Sequence, residues 1–281
     1  MMIRDHLGRE LELNGAPQRI VSLCPSQTET LFELGAGSRL VGRTKFCIHP
    51  QPEIERVPEI GGTKKVRMDD IRALKPDFIL AEMEEQTPEL VRELQAEFPV
   101  FVTRVEHIHD ALVMIKDLGV LLSGEFVHLS TSDAPELPPP PEAIELLAGI
   151  HLASEIDGLL NGIAPLETPK TCAYLIWEKP IMAVGANTYI NSVLAYLGLV
   201  NVALSDTSRY PKLTDAQLQA MQPDLLLLSS EPFPYKDAHL ARYQQLLPNS
   251  DVRLVDGEMF SWYGARMKTA AAYLSQFIRS L

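Results

Sequence analysis

The sequence has few cysteines and no long apolar run. Its three cysteines, Cys24, Cys47 and Cys172, do not have the number or spacing of a disulfide framework. No stretch reaches the ~18 apolar residues of a membrane-spanning helix, so we expect no membrane span. The first ten residues also lack the apolar core of a signal peptide. The sequence as written therefore predicts a cytoplasmic protein, or a periplasmic or lipid-anchored one if a leader has been removed.

Positive charge and catalytic motifs are also scarce. The chain has 25 Lys and Arg residues against 37 Asp and Glu, a net charge of −12, which disfavours nucleic acid or an anionic membrane as the main partner. It contains no Gly-x-Ser-x-Gly elbow, no phosphate-binding P-loop and no Gly-x-Gly-x-x-Gly dinucleotide turn. We therefore predict a protein that is not an enzyme and requires no cofactor.

What the sequence does contain is a repeat. Residues 71–81 read Ile-Arg-Ala-Leu-Lys-Pro-Asp-Phe-Ile-Leu-Ala, and residues 218–228 read Leu-Gln-Ala-Met-Gln-Pro-Asp-Leu-Leu-Leu-Leu. Each copy predicts a short helix, a Pro-Asp break and a buried strand, because proline cannot continue the helix and the apolar run is too short for another. The repeat predicts an α/β protein of two related lobes, and a cleft between two lobes is a common place for a small-molecule ligand.

The first lobe begins with a strand that leads into a helix. Residues 19–23 form an apolar run, Ser26 and Glu29 match a capping box, and Gly35 is suited to end the helix. This order places the N-terminus of a helix at the carboxyl end of a strand, where ligands bind in open α/β sheets. Ser26, Gln27 and Thr28 are therefore predicted ligand-binding residues. Strands continue to alternate with helices, which predicts mainly parallel sheets.

The middle of the chain predicts a linker between the lobes. A proline run, Pro138–Pro141, precedes a plausible helix over about 142–161. We predict an N-terminal lobe over residues 1–122, a proline-rich segment with a connecting helix over 123–165, and a C-terminal lobe over 166–281.

Aromatic and polar residues follow the predicted strands of the second lobe. The two tryptophans of the chain, Trp177 and Trp262, are placed in loops after strands. Aromatic rings give a flat ligand a large contact area, and a few polar groups orient it. The candidate ligand-binding residues of this region are Trp177, Glu178, Tyr210, Glu231, Trp262 and Tyr263.

Cys47 and His49 form a second kind of candidate. Thiolate and imidazole are ligands for soft or borderline metals, so this pair is both a ligand-binding and a metal-binding candidate. Two ligands do not complete a closed zinc site, which needs four.

Six short motifs follow one another along the chain: Pro25-Ser-Gln-Thr-Glu29, Cys47-x-His-Pro50, Gly61-Gly62, Lys75-Pro-Asp77, Arg209-Tyr-Pro211 and Trp262-Tyr263. In order and spacing they resemble the motifs of class III substrate-binding proteins, the helical-backbone metal receptors. The pattern is most similar to the cobalamin-binding branch. The resemblance implies two Rossmann-like lobes joined by a helix, with cobalamin, haem or a ferric chelate bound in the cleft between them.

The resemblance also implies a partner, the permease of an ABC importer. Family members carry an acidic docking residue on each lobe; in the second lobe Ala216 occupies that position, beside Asp215. The sequence leaves two other functions open. One is a cytosolic metal or metallocofactor-handling protein that uses Cys47 and His49, and the other is an enzyme that modifies a cofactor on the same scaffold.

Overall fold

The structure, a computed structural model, describes residues 2–124, 144–205 and 207–281. The chain divides into two compact units. Unit 1 comprises Met1–Val105, His109–Asp157 and Tyr263–Ala265, and unit 2 comprises Glu106–Ile108, Gly158–Trp262 and Arg266–Leu281. The lobe boundaries given by the sequence remain a prediction. The Pro138–Pro141 run lies outside the described residues.

Unit 1 begins with an antiparallel hairpin and continues as alternating strands and helices. Its elements are β1 (Met2–Arg4), β2 (Glu10–Glu12), β3 (Ile20–Ser22), α1 (Pro25–Glu33), β4 (Leu40–Arg43), α2 (Met68–Leu74), β5 (Phe78–Glu82), α3 (Pro88–Gln95), β6 (Val100–Thr103) and α4 (Ile108–Ser123). Helix α5 (Ile144–Asn161) follows and ends within unit 2. Thr87 caps α3 through a hydrogen bond from Leu90 N, with Pro88 in the first turn.

The described strands of unit 1 after the hairpin form one parallel sheet in the order β4-β3-β5-β6. Alternate residues of β3, β5 and β6, including Val21, Ile79 and Val102, pack against apolar residues of α2 and α3 such as Ile71 and Leu94. All five residues of β5 are buried, as expected for a central strand covered on both faces.

Unit 2 repeats the alternation around a longer first strand. Its elements are β7 (Lys170–Glu178), β8 (Ile181–Ala183), α6 (Tyr189–Tyr196), β9 (Leu199–Asn201), β10 (Lys212–Leu213), α7 (Asp215–Met221), β11 (Leu225–Ser229), α8 (Asp237–Leu246), β12 (Asp251–Val255), α9 (Gly257–Ser261) and α10 (Met267–Arg279). In the described residues the strand order is β10-β8-β7-β11-β12, with β9 beside the start of β7. β9, β7, β11 and β12 are parallel, and only the β7-β8 and β8-β10 pairs are antiparallel. The predicted α/β class with mainly parallel sheets is confirmed.

The sequence repeat forms the same local structure in both units, which we call the Pro-Asp clasp: a helix that ends at a left-handed residue, followed by Pro-Asp, whose aspartate binds the backbone at the start of a neighbouring strand. Helices α2 and α7 end at left-handed residues, Lys75 (φ 47°) and Gln222 (φ 44°), each followed by Pro-Asp. The Asp77 carboxylate accepts hydrogen bonds from the backbone N–H groups of Gln18 (2.9 Å) and Arg19 (2.8 Å), just before β3.

The second clasp has the same design. The Asp224 carboxylate accepts hydrogen bonds from Thr171 N (2.8 Å) and Thr171 Oγ1 (2.7 Å) at the start of β7. These bonds lower the pKa of Asp224. In each copy, therefore, the aspartate ties the start of one strand to the start of its parallel neighbour.

Two local predictions were wrong. Helix α1 begins at Pro25, with Cys24 as its N-cap and no side-chain cap, so Ser26 and Glu29 do not form a capping box. The proline explains the shift, because it favours the first helical position and needs no hydrogen-bond partner there. Trp177 lies within β7 rather than in a loop, since β8 folds back antiparallel and pairs Met182 with Trp177.

Candidate functional site

In unit 1 the predicted residues of α1 point into the protein. Gln27 Nε2 donates to Ala81 O (3.2 Å) and to Thr103 Oγ1, so its side chain links β5 to β6. Thr28 Oγ1 lies 2.8 Å from Ser22 Oγ and 3.1 Å from Cys47 Sγ. The side chains of Gln27 and Thr28 are thus engaged in internal contacts at the carboxyl edge of the sheet.

Cys47 is fully buried, and its sulfur is in contact with two hydroxyl groups. Its Sγ atom lies 3.1 Å from Thr28 Oγ1 and 3.2 Å from Thr44 Oγ1. Burial raises the pKa of the Cys47 thiol, which favours the neutral form over the thiolate that binds metals. Residues 2–124, 144–205 and 207–281 contain no group of three or more His, Cys, Asp or Glu side chains placed to hold a metal. The metal-handling alternative is therefore not supported.

An acidic cluster of Glu82, Glu84 and Glu85, of which Glu82 is buried, lies where β5 ends. Glu82 is 2% exposed, and its Oε2 accepts hydrogen bonds from Glu84 N (2.6 Å) and Glu85 N (3.1 Å). Its Oε1 is buried and has no hydrogen-bond partner in the described part of the chain. Burial, together with the negative charges of Glu84 and Glu85, raises the pKa of Glu82 from 4.5 to about 7. This carboxyl group therefore changes its protonation near neutral pH.

Tyr263 lies beside this acidic cluster. It belongs to unit 1, its hydroxyl is 3.5 Å from Cys24 Sγ, and it is 7% exposed. Burial, followed by the neighbouring Cys24 and Glu82, raises the pKa of the tyrosine. The Tyr263 hydroxyl is thus occupied by a contact within unit 1.

Unit 2 holds Trp262 through Glu231. The Glu231 Oε1 atom accepts hydrogen bonds from Trp262 Nε1 (2.8 Å) and Ser261 Oγ (2.7 Å). The Arg266 guanidinium lies 5.5 Å from the Trp262 ring centroid. Burial raises the pKa of Glu231, and the two hydrogen bonds oppose that effect. Glu231 and Trp262, predicted separately, are therefore in contact, and the Glu231 carboxylate fixes the orientation of the indole.

Gly257 makes room for this arrangement. A Cβ atom at Gly257 would lie 2.4 Å from Glu231 Cγ and 2.5 Å from Ser229 Oγ, closer than real Cβ atoms approach other atoms. Gly257 also begins α9, the short helix that carries Ser261 and leads to Trp262. The absence of a side chain at this position lets Glu231 reach the indole.

Trp177 and Glu178 line a different part of unit 2. They contribute to a cavity of about 830 Å³ together with Phe233, His239 and Arg242. Trp177 is 39% exposed, whereas Glu178 is 7% exposed and accepts a hydrogen bond from the Tyr243 hydroxyl at 2.7 Å. His239 and Arg242 were not predicted; they lie on α8, and no motif in the sequence marks them.

The remaining candidates, His49, Tyr210 and Ser26, differ in burial. His49 is half-buried and precedes Pro50 in the loop after β4. Tyr210 is half-buried in the segment before β10, where its N–H donates to Ser208 Oγ at 3.2 Å. Ser26 is buried, and its carbonyl accepts a hydrogen bond from Thr30 Oγ1 at 2.7 Å.

Comparisons with known proteins agree with this architecture. Residues 20–125 match the periplasmic binding protein family. A vitamin B12-binding protein from Vibrio campbellii is 24% identical over 222 residues, which cover 77% of this chain and 72% of the relative.

No helix among the described residues has the length and apolar composition to cross a membrane.

Two solved structures share the fold over nearly the whole chain. The periplasmic vitamin B12 binding protein BtuF of Vibrio cholerae has a TM-score of 0.75 at 20% identity and covers 94% of this chain and 97% of its own. The periplasmic haem-binding protein BhuT, solved with two haems, has a TM-score of 0.73 at 19% identity over 95% and 99%. The resemblance found in the sequence is confirmed: residues 20–125 match the periplasmic binding protein family, and the chain shares the fold of these two solved structures.

Proposed function

We propose that this protein binds a corrinoid or an iron chelate, including haem, without converting it. The observation that carries the proposal is the Trp262 indole, which Glu231 holds by a 2.8 Å hydrogen bond. Support comes from the relatives and structural neighbours, which include proteins that bind vitamin B12 and haem.

A fixed indole suits a flat ligand. Because Trp262 Nε1 and Ser261 Oγ both donate to Glu231 Oε1, the ring has its orientation before any ligand arrives, and less side-chain entropy is lost on binding. Trp262 is 8% exposed, so we propose that a corrin or porphyrin packs against the edge of the ring that its loop leaves open. Arg266, near the same ring, has its Nη1 atom 3.7 Å from Glu258 Oε2, and we propose that this ion pair faces the rim of the ligand.

The other predicted residues divide into contacts and supports. We propose that Ser26 and its neighbours contribute through the first-turn N–H groups of α1, because the side chains of Gln27 and Thr28 are bonded internally. His49 and Tyr210 remain proposed ligand contacts. Trp177 and Glu178, predicted as contacts of the same ligand, are assigned instead to a second site, because the cavity that they line does not include Trp262. Cys47 and Tyr263 act as buried support for their loops. The ligand cleft between the lobes and the importer permease remain predictions.

Calorimetric titration with hydroxocobalamin, haemin and a ferric hydroxamate chelate tests the proposal. We expect saturable binding of one compound class, and Trp262→Phe should weaken it at least tenfold, or about 1.4 kcal/mol. Trp177→Phe is the matched control and should change the affinity less than twofold. If the folded protein binds none of the three compounds, the proposed function is wrong.

The absence of conversion has its own test. After incubation, the bound compound should be released by denaturation with its absorption spectrum and mass unchanged. A modified corrinoid or an opened porphyrin ring would instead favour the enzyme alternative.

A further inference from the structure

Unit 2 contains a cavity that the proposed function does not use. It has a volume of about 830 Å³ and lies at the end of β7, next to the first residues of α7 and to α8. This volume is within the range of small-molecule sites in proteins, roughly 300–1,000 Å³. Its aromatic wall is formed by Trp177, Phe233 and His239, and its polar groups include Glu178, Asp215 and Arg242.

The aromatic wall is held in a defined geometry. The Trp177 and Phe233 rings are 5.8 Å apart at 66°, and the Phe233 and His239 rings are 5.2 Å apart at 83°. Trp177 Nε1 donates to Lys179 O at 3.2 Å, which fixes the indole while 39% of the residue stays exposed. A planar apolar body can therefore pack against these rings without reorganising them.

Arg242 brings an unused donor to this wall. Its Nη2 atom binds both oxygens of Asp215, at 2.7 and 2.9 Å, and its guanidinium lies 4.5 Å from the Tyr243 ring centroid. Its Nη1 atom is buried and makes no hydrogen bond within the described residues; Glu178 Oε1 is 3.7 Å away, beyond hydrogen-bond distance. A buried donor left unpaired costs free energy, and a ligand acceptor would recover it.

His239 supplies a second donor. Its Nδ1 atom accepts a hydrogen bond from Lys236 N at 3.0 Å, so the neutral ring carries its hydrogen on Nε2. Glu178 supplies an acceptor. The Tyr243 hydroxyl donates to its Oε2 atom, whereas its Oε1 atom lies 3.7 Å from Arg242 Nη1. The cavity thus combines donors and an acceptor beside flat apolar surface.

The charges lining the cavity favour a neutral ligand. Glu178 and Asp215 balance Lys179 and Arg242, and the Arg242 charge is already paired with Asp215. A carboxylate ligand would meet two carboxylates that repel it, whereas an amide could accept from Arg242 and donate to Glu178.

We propose that this cavity binds a neutral carboxamide carried on a planar aromatic body. The Arg242 side chain is 38% exposed, and a small rotation of its guanidinium brings Nη1 to the carbonyl oxygen, which accepts its hydrogen bond. The NH₂ group donates to Glu178 Oε1, and the aromatic body packs against Trp177 and Phe233. The lining of this cavity does not include Trp262 or Glu231.

The test uses a matched pair of probes, 2-naphthamide and 2-naphthoate, which differ only in the amide and the carboxylate. Binding is followed by NMR through the indole N–H signal of Trp177, assigned by its loss in Trp177→Phe. We expect saturable shifts with 2-naphthamide at a Kd of roughly millimolar or below, as expected for a fragment of this size. At pH 8, 2-naphthoate should bind at least tenfold more weakly.

Variants then assign the contacts. Arg242→Met should weaken 2-naphthamide binding at least fivefold, whereas Arg279→Met, the same change on an exposed arginine at the end of α10, should have no effect. Trp262→Phe should leave the amide affinity unchanged, which separates this site from the proposed function. Equal binding of the two probes, no saturable shift in the folded protein, or full affinity in Arg242→Met would overturn the proposal.

Discussion

Replacing Glu82 by glutamine should stabilise the protein at pH 8 and not at pH 4. Glu82 is 2% exposed, and burial raises its pKa from 4.5 to about 7. Each pKa unit corresponds to about 1.36 kcal/mol, so ionised Glu82 destabilises the folded state by about 3 kcal/mol at high pH.

The sign follows from linkage. Because the folded-state pKa is raised, the Glu82 contribution is fully present below pH 4.5 and is lost as the pH rises towards 7. Glutamine stays neutral throughout, and its carbonyl oxygen can take the place of Oε2 and keep both hydrogen bonds from Glu84 N and Glu85 N. Its NH₂ group then takes the place of Oε1, which is buried without a hydrogen-bond partner among the described residues, at a cost of about 1 kcal/mol. The net expected gain is therefore about 2 kcal/mol at pH 8, turning into a small loss at pH 4.

The assay must report on unit 1. Trp177 and Trp262 both lie in unit 2, so tryptophan fluorescence follows the wrong part of the molecule. Hydrogen exchange of the β5 amides, or urea unfolding followed by far-UV circular dichroism, measures the free energy of unfolding where Glu82 lies. Glu93→Gln, an exposed carboxylate on α3, is the control and should show no pH-dependent difference. A Glu82→Gln effect that is the same at both pH values would refute the reasoning.

Three further outcomes are expected. Asp224→Ala should lower the free energy of unfolding of unit 2 by about 1–2 kcal/mol, because the hydrogen bonds to Thr171 are lost. The pKa of Asp224 is lowered in the folded state, so this difference between variant and wild type should shrink below about pH 3.8. Urea unfolding followed by tryptophan fluorescence measures it. Gly257→Ala should displace the Glu231 side chain and weaken binding of the proposed metal-chelate ligand, measured by calorimetry, by about as much as Glu231→Ala does. Cys47 should resist iodoacetamide at pH 7.5 until the protein is unfolded, as mass spectrometry would show, because its thiol is buried and its pKa is raised.

The order of helices and strands could be predicted from the sequence because it depends on local patterns. The helix, Pro-Asp and strand order requires only a helix stop and a buried run, and both copies appear as predicted. The capping box placed the N-cap of α1 at Ser26, two residues late, because Pro25 begins the helix after Cys24 without a side-chain cap. The length of β7 was underestimated because its second half is stabilised by β8, a partner that the strand's own residues do not reveal.

The candidate site was less predictable because side-chain partners depend on tertiary packing. Nothing in the sequence around Gln27 shows that it turns inward to β5 and β6, or that Glu231 bonds to an indole 31 positions away. Arg242 and His239 lie on an ordinary polar helix, α8, and only the fold brings them beside Trp177.

The Pro-Asp clasps have a consequence for how such a chain can arise. Asp77 bonds to Gln18 and Arg19 within unit 1, and Asp224 bonds to Thr171 within unit 2. Each clasp is complete inside the segment that carries it. A duplication of the coding segment would therefore copy the aspartate together with the strand start that it holds, and both copies could diverge in their loops while keeping the same strand order.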